Sequence, residues 1–285
     1  MSDLTAAIVT YNRARYVADA IESVLAQDVD LELLVVDDGS TDDTERVVSR
    51  YRDKVRYVRQ ENRGRAGARN TAVRLAAGDL IAFCDSDDRW LPGRLERELD
   101  ALEDRPDVGM VHGQVELTDS DWQPLPAETD ANRTVFSDAH RDGATYAGYA
   151  FNCRCLSSTI LVRRQVFDTI GLYDVSLPIE DYDFYLRLLL RWDVLFLDGA
   201  PLAQYRTGSD DNAAPNLAAG QIRTAEKHLA LLDRRRDIPD ARRARRNFNL
   251  MIAQTWRVQG DRRRARAAAL RALRLGAPQA LRVAL

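Results

Sequence analysis

Three acidic residues and a serine, Asp85-Ser86-Asp87-Asp88, follow the apolar run Leu80-Ile81-Ala82-Phe83-Cys84. Carboxylates therefore collect where a buried strand reaches the surface, and they repel one another unless a cation or a set of donors neutralises them. Clustered hard oxygen ligands suit Mg²⁺ or Mn²⁺ held together with phosphate groups. In an open α/β sheet the carboxyl ends of the strands are where ligands sit. The one-residue gap between Asp85 and Asp87 turns both carboxylates to one side of an extended segment. The plainer alternative is a solvated acidic turn that caps the next helix.

Other strand ends carry complementary chemistry. In Thr10-Tyr11-Asn12 the tyrosine ring can stack on a nucleobase while neighbouring polar groups bond it. In Asp37-Asp38 a carboxylate can accept an imide N–H, although capping of the following helix explains the pair equally well. Arg69 stands in Gly64-Arg65-Ala66-Gly67-Ala68-Arg69-Asn70, where small residues let a helix start pack close to a sheet and a guanidinium reach a base carbonyl or a diphosphate. Together these residues describe a nucleoside diphosphate site. Further on, Glu180-Asp181-Tyr182-Asp183 opens a helix. Neighbouring carboxylates raise the pKa of Asp181 and a helix N-terminus lowers it, so sequence leaves its protonation open.

The elements that must position these residues follow from periodicity. Apolar runs at 6–9, 31–36, 55–58 and 80–84 read as buried strands, separated by helical patterns at 17–25, 44–50 and 66–77. Ser40 or Thr41 is the expected N-cap of the second helix. Continuous apolar strands between amphipathic helices indicate a mostly parallel α/β sheet covered on both faces. Beyond residue 90 the pattern predicts a helix at 95–102, one long strand at 108–117 and a strand at 157–162. Helices at 164–170 and 182–192 and short strands at 194–197 and 201–205 complete it. Residues 118–150 show no sustained period and read as a long surface excursion. His140, inside it, reads as a solvated loop histidine.

Composition narrows the class. The 285 residues are 45% hydrophobic and 30% charged, as in a soluble globular protein, and no apolar run approaches the roughly 18 to 20 residues of a spanning helix. No secretory pattern opens the chain, so the expected location is cytoplasmic. Cys84, Cys153 and Cys155 are too few for a disulfide framework and lack zinc-site spacing, so all three are expected as thiols. Residues 221–285 hold 17 basic against 5 acidic residues, while residues 1–220 hold 24 against 39. No nucleic-acid partner is expected.

The ordered segments Ile8-Val9-Thr10-Tyr11-Asn12-Arg13, Val35-Val36-Asp37-Asp38-Gly39-Ser40-Thr41-Asp42, Gly67-Ala68-Arg69-Asn70-Thr71-Ala72, Gly78 to Asp88 and Glu180 to Asp183 resemble the signatures of family 2 inverting glycosyltransferases of the GT-A fold. The resemblance spans about residues 5–206. It implies a nucleotide-sugar donor, a divalent cation (Mn²⁺ or Mg²⁺) on the diphosphate, and a carboxylate base acting on an acceptor hydroxyl. Carried onto matching positions, Thr10, Tyr11, Asp38 and Arg69 hold the nucleotide, Asp85 its ribose side, Asp87 with Asp85 the metal, and Asp181 is the base. One departure stands out: Gly208 occupies the place of a histidine that many members carry three residues after the tyrosine, here Tyr205.

The expected organisation is a catalytic unit over 1–215 and an arginine-rich helical extension over 216–285. Trp256 to Pro278 is similar to one tetratricopeptide-type helix pair, which cannot bury its own face and must dock on the catalytic unit, a second copy or a partner. Its arginines suit peripheral membrane contact or homo-oligomerisation through the basic C-terminal helices, against the plainer reading of a solvated surface. The function expected is metal-dependent, inverting transfer from a nucleotide-sugar, with a UDP-sugar preferred, to a hydroxyl of a glycan, lipid-linked saccharide or small metabolite. The alternative is a non-catalytic nucleotide-sugar-binding or scaffold protein.

Overall fold

The computed structural model describes residues 3–140, 144–151, 153, 155–208 and 217–284. The chain opens with β1 (Leu4–Thr10), α1 (Val17–Leu25), β2 (Glu32–Asp37), α2 (Thr44–Val48), β3 (Arg56–Arg59), α3 (Gly64–Leu75) and β4 (Leu80–Asp85). There follow β5 (Arg89–Trp90), α4 (Arg94–Leu102), β6 (Val108–Gly113), β7 (Val115–Thr118), α5 (Pro126–His140) and α6 (Tyr146–Tyr149). Then come β8 (Leu161–Arg163), α7 (Arg164–Ile170), α8 (Glu180–Leu188), β9 (Asp193–Leu197) and β10 (Ala203–Arg206). Four helices close the chain: α9 (Leu217–Arg234), α10 (Ala241–Val258), α11 (Arg262–Arg274) and α12 (Leu281–Ala284).

The main sheet has seven strands in the order β3-β2-β1-β4-β8-β6-β9, with β8 antiparallel to both neighbours. A second sheet, β5-β10-β7, sits beyond the acidic turn after β4. Alternate side chains of the parallel strands enter two cores. Ala7, Leu34, Val36, Ile81 and Phe83 face one side, whereas Ile8, Val35, Ala82 and Cys84 face the other with Val17, Ile21 and Val24 of α1. Burial on both faces is why these strands read as unbroken apolar runs.

Registry aligns the chemistry. Thr10 pairs with Asp37 and Val9 with Asp85, so the carboxyl ends of β2, β1 and β4 form one row of polar residues. The chain leaves β1 toward β2 on one side and finds β4 on the other, the kind of topological switch at which α/β sheets bind ligands.

Three expectations are corrected. The stretch 108–117 divides into β6 and β7, which belong to different sheets; Gly113 packs against Leu202, where a Cβ would lie 2.7 Å from its Cδ1. Residues 118–150 contain α5 and α6 rather than a structureless excursion, and His140 lies at the end of α5, not in a loop. The short and polar side chains of α5 make no apolar stripe to betray it; Pro126 starts it, and Thr129 Oγ1 fixes its first turn by accepting the Leu117 N–H at 2.9 Å. At α2, Asp42 rather than Ser40 or Thr41 meets the helix start, accepting from Thr44 N at 3.0 Å, because Ser40 is turned toward Asn12 N.

The C-terminal helices dock on the α/β unit that precedes them. Core packing runs without interruption from Phe83, Tyr185 and Leu188 to Phe248, Ala253, Ala268 and Ala269 of α10 and α11. At Gly220 of α9 a Cβ would lie 2.5 Å from Ile179 Cγ1, so only glycine lets the helix approach the entry of α8 this closely. Asn247 donates to the Ala147 carbonyl at 2.7 Å. Buried His228 bridges the units: Tyr146 donates to its Nδ1 at 3.0 Å, and its Nε2–H donates to Asp183 Oδ1 at 3.1 Å. Lys227 and Arg187 also pair with Asp183, each at 2.7 Å.

Burial opposes the charge on Asp183, but His228, Arg187 and Lys227 outweigh it and hold the carboxyl well below the usual range. Its contribution to stability is therefore complete above about pH 4, the ordinary carboxylate value, and is lost as pH falls through the folded value. Asp183→Ala strands buried donors and is expected to cost about 3 kcal/mol or more, lowering Tm by roughly 6 to 12 °C in thermal unfolding at pH 7. A change within a degree would mean that these contacts do not secure α9.

Candidate active site

At the carboxyl ends of β1 and β2, each strand end is fixed by local bonds. Asp37 is consumed structurally: it accepts from Ser40 N at 2.7 Å and from Tyr57 Oη at 2.7 Å. Asp38, also buried, accepts from Gln60 Nε2 at 2.6 Å and Arg63 N at 2.9 Å, both on Oδ1. Its Oδ2 is left for another donor. Gly39, at φ +83°, makes the turn that brings this segment against Asn62. Thr10 is 2% exposed, and its hydroxyl is buried with no hydrogen-bond partner. Tyr11, by contrast, is 45% exposed beside it, free to lie against a planar group.

The acidic turn is held from behind by buried cations. Arg94 is fully buried, paired with Glu98 at 3.0 Å, and donates to the carbonyls of Ser158 and Ile160. Burial pushes Glu98 up to about 7, with Arg94 opposing. Ser158, so fixed, accepts from Asp85 N at 3.0 Å and donates to Asp88 Oδ2. Arg206 supplies the other clamp: its N–H donates to Asp88 Oδ1 at 3.2 Å and its Nε to the Asp87 carbonyl at 3.1 Å. Its guanidinium lies 4.3 Å from the Tyr16 ring centre and 3.7 Å from that of Trp122. Asp88 is 1% exposed, and burial together with Asp87 and Asp85 raises its pKa far above the usual range. It is a structural acid facing inward.

Asp85 and Asp87 remain as the outward carboxylates. Asp87 lies 3.7 Å from Arg13 Nε. Among the described residues no group of three His, Cys, Asp or Glu side chains forms a metal cage. Two carboxylates nonetheless fit Mg²⁺ or Mn²⁺, which commonly complete their shells with water and substrate phosphates. Gly208 offers no side chain and sits at φ +73°.

Arg69 joins the two halves of the site. Its buried guanidinium donates to Asp85 Oδ1 at 2.9 Å and to Glu180 Oε1 at 2.5 Å. Burial works against its charge, but Asp85 and Glu180 outweigh this and hold its pKa well above normal. Asp181, next along α8, accepts from its neighbour Tyr182 N at 2.7 Å and faces a cavity of about 640 Å³ between α8 and helices α9 and α10. Part of its surface stays open to that cavity. Enclosure by protein and the charge of Glu180 push its carboxyl up to about 6, against the pull of Arg69, the Tyr182 N–H and Arg65.

The structure thus places Thr10, Asp38 and Asp85 in one row with Tyr11 and Asp87 at its edge, and couples them through Arg69 and Glu180 to Asp181. Arg94, Ser158 and Arg206 were not singled out from sequence as parts of this site. Nothing local marks them, because each acts through contacts 60 to 120 residues away.

Comparison with known proteins agrees with this geometry. The model of glycosyl transferase family 2 matches residues 5–171. An uncharacterized glycosyltransferase of Rickettsia typhi is 30% identical over 223 residues, 77% of this chain and 68% of its own length. The chondroitin synthase of Escherichia coli is 42% identical over 185 residues, 64% of this chain and 26% of its own length. The chain therefore spans from about a quarter to about two thirds of these relatives. Among solved structures, Staphylococcus aureus TarS 1-349 in complex with UDP-GlcNAc superposes with TM-score 0.68 at 17% identity, covering 99% of this chain and 83% of that one. The mannosyltransferase PcManGT of Pyrobaculum calidifontis, in complex with GDP-Man and Mn²⁺, gives 0.64 at 22% identity over 99% and 78%. The fold is that of the GT-A glycosyltransferases, and the chain belongs to glycosyl transferase family 2.

The unpaired Thr10 hydroxyl yields a direct check. Removing a buried, unsatisfied hydroxyl while keeping its shape is nearly neutral or stabilising. Thr10→Val is expected to keep or raise Tm, while weakening nucleoside diphosphate binding about tenfold if that hydroxyl serves the ligand. Titration calorimetry with UDP and GDP reads the second part, and equal affinity in both proteins would release Thr10 from the site.

Proposed function

We propose that this protein is an inverting glycosyltransferase that moves a sugar from a nucleotide donor, in the first instance a UDP-sugar, to a hydroxyl acceptor. The observation that carries this reading is the Asp181 carboxyl, pushed up to about 6, on a cavity wall directly beside Glu180, which shares the Arg69 guanidinium with Asp85. Tyr11 stacks on the base, Asp38 Oδ2 accepts its N–H, and Thr10 bonds the nucleotide. Arg69 acts on the nucleotide through Asp85, whose outer oxygen meets the ribose. Asp85 and Asp87 would hold a divalent cation, which when bound neutralises charge on the departing diphosphate.

In the transfer step Asp181 takes the proton of the acceptor hydroxyl. The acceptor oxygen forms a bond to the anomeric carbon on the face opposite the diphosphate, the bond to the diphosphate oxygen breaks, and its electron pair leaves with the diphosphate. Configuration inverts. A pKa of about 6 suits a base at neutral pH: mostly ionised, yet basic enough to receive a proton. The catalytic unit extends to about residue 215, and the helices beyond it, α9 and α10, supply one wall of the cavity.

Thermal unfolding with UDP, GDP, dTDP and CDP, with and without Mn²⁺, tests the donor site without any acceptor. Saturation at 100 times Kd adds about 2.7 kcal/mol to stability. A cation-dependent shift with one nucleotide, lost in Asp87→Ala, is the expected result; a shift that keeps its cation dependence in the variant would move the metal elsewhere. For the base, Asp181→Asn is expected to lower transfer about 10² to 10⁴-fold with donor binding retained. In the native enzyme kcat/KM should fall as pH drops through about 6, since protonation of Asp181 removes the base. Transfer persisting within a few-fold in Asp181→Asn would falsify the assignment, and donor binding with no turnover on any acceptor would favour a scaffold role.

A further inference from the structure

The cavity before Asp181 has a composition that narrows the acceptor. Its volume, about 640 Å³, suits a ligand of one to two sugar units with a substituent. Among the described residues Asp181 is the only charged side chain on its wall, although α10 and α11 are rich in arginine elsewhere. An anionic group placed here would face the Asp181 carboxylate, and no described residue on the wall carries a cation to meet it. The opposite wall belongs to α9 and α10, where Gln221 and Gln254 offer amides and Met251 an apolar surface.

A second observation points to a ligand. Tyr185 of α8 lines the cavity and is 1% exposed, yet its hydroxyl has no hydrogen-bond partner. Tyr182, on the same helix, spends its own hydroxyl on the carbonyls of Tyr149 and Ala150. A buried hydroxyl left unpaired is costly unless something that visits the cavity satisfies it. Burial and the nearby Asp181 keep the Tyr185 phenol protonated, so it is a neutral donor. At the cavity rim Leu217 and Val258 are 54% and 88% exposed, an apolar border that continues Ile179 and Met251 outward.

On the glycosyltransferase reading given above, we propose that this cavity is the acceptor site and that the C-terminal helices build half of it. Its acceptor is an uncharged glycosyl unit bearing an apolar aglycone. Tyr185 donates to the sugar and anchors it in the cavity that Asp181 faces, the glutamine amides bond the remaining hydroxyls, and the aglycone leaves over Met251 and Val258. Tyr185 is a binding residue.

The test uses the full chain loaded with the nucleotide that stabilises it. Calorimetry compares methyl, phenyl and octyl glycosides of glucose, galactose, mannose and N-acetylglucosamine with phenyl glucuronide. Expected is binding of phenyl or octyl glycosides of one sugar at least about tenfold tighter than the methyl glycoside, with the glucuronide excluded. Preference for octyl over phenyl would assign a lipid aglycone, and the reverse an aryl one. In transfer assays Tyr185→Phe should raise acceptor KM about tenfold with kcat nearly kept, and Met251→Arg should abolish the aglycone preference. Nucleotide stabilisation reports on each variant that the fold is intact. Equal binding of methyl and phenyl glycosides, tight binding of the glucuronide, or an unmoved KM in Tyr185→Phe overturns the proposal while nucleotide stabilisation leaves the donor site standing. Absence of stabilisation by every nucleotide overturns the reading on which it rests.

Discussion

The buried guanidinium of Arg69 is the contact on which the arrangement of the site depends. It comes from α3, and its two acidic partners come from the end of β4 and the start of α8, 16 and 111 residues away in sequence. A charge at this depth is stable only with its carboxylates in place, and Glu180, buried beside it, is tolerable there only because the arginine is present. Removing one member leaves an uncompensated buried charge. The pair of ion pairs thus sets a fixed separation between Asp85, at the end of β4, and Asp181, which follows Glu180 directly.

A second layer of buried charge supports the first. Arg94 and Arg206 do not face the crevice; they hold carbonyls and the inward carboxylate of Asp88, and through Ser158 they fix the backbone that presents Asp85 and Asp87. Such turns gain little from apolar packing, so their shape depends on charge-assisted bonds made in a low-dielectric interior. The price is rigidity that leaves Asp85 and Asp87 facing outward together. The same logic recurs at Asp183, whose bonds to His228 and Lys227 tie α9 to the helix that carries Asp181. Acids within one short motif therefore divide their tasks: Glu180 pairs inward with Arg69, Asp183 secures the C-terminal helices, and Asp181 alone opens to the cavity.

That division explains why the C-terminal helices cannot be a loosely tethered appendage. Gly220 permits close packing on Ile179, the core runs without a break into α10 and α11, and the cavity wall opposite Asp181 is theirs. No helix among the described residues is long and apolar enough to cross a membrane. The arginines lie mostly on outer surfaces, where several pair locally, as Arg235 does with Asp237 and Arg264 with Asp261.

Much of the fold was legible from residues alone. The alternation of apolar strands and amphipathic helices through residue 85, the row of polar strand ends and the acid-rich start of α8 all follow from local periodicity and from the energetic oddity of carboxylates beside buried strands. Sequence could not reveal α5, whose side chains form no stripe, nor the break between β6 and β7, which depends on Leu202 packing against Gly113. It left the protonation of Asp181 open, because opposing effects of comparable size act there, and only the enclosure seen in the tertiary structure tips the carboxyl upward. It named Arg69 but not the partners that hold it, and it passed over Arg94, Arg206 and Tyr185 altogether. Residue types and spacing determined which chemical groups this chain brings together; which acid faces the cavity and which is buried against an arginine was decided only when distant segments met, since burial and pairing are properties of contacts rather than of sequence neighbours.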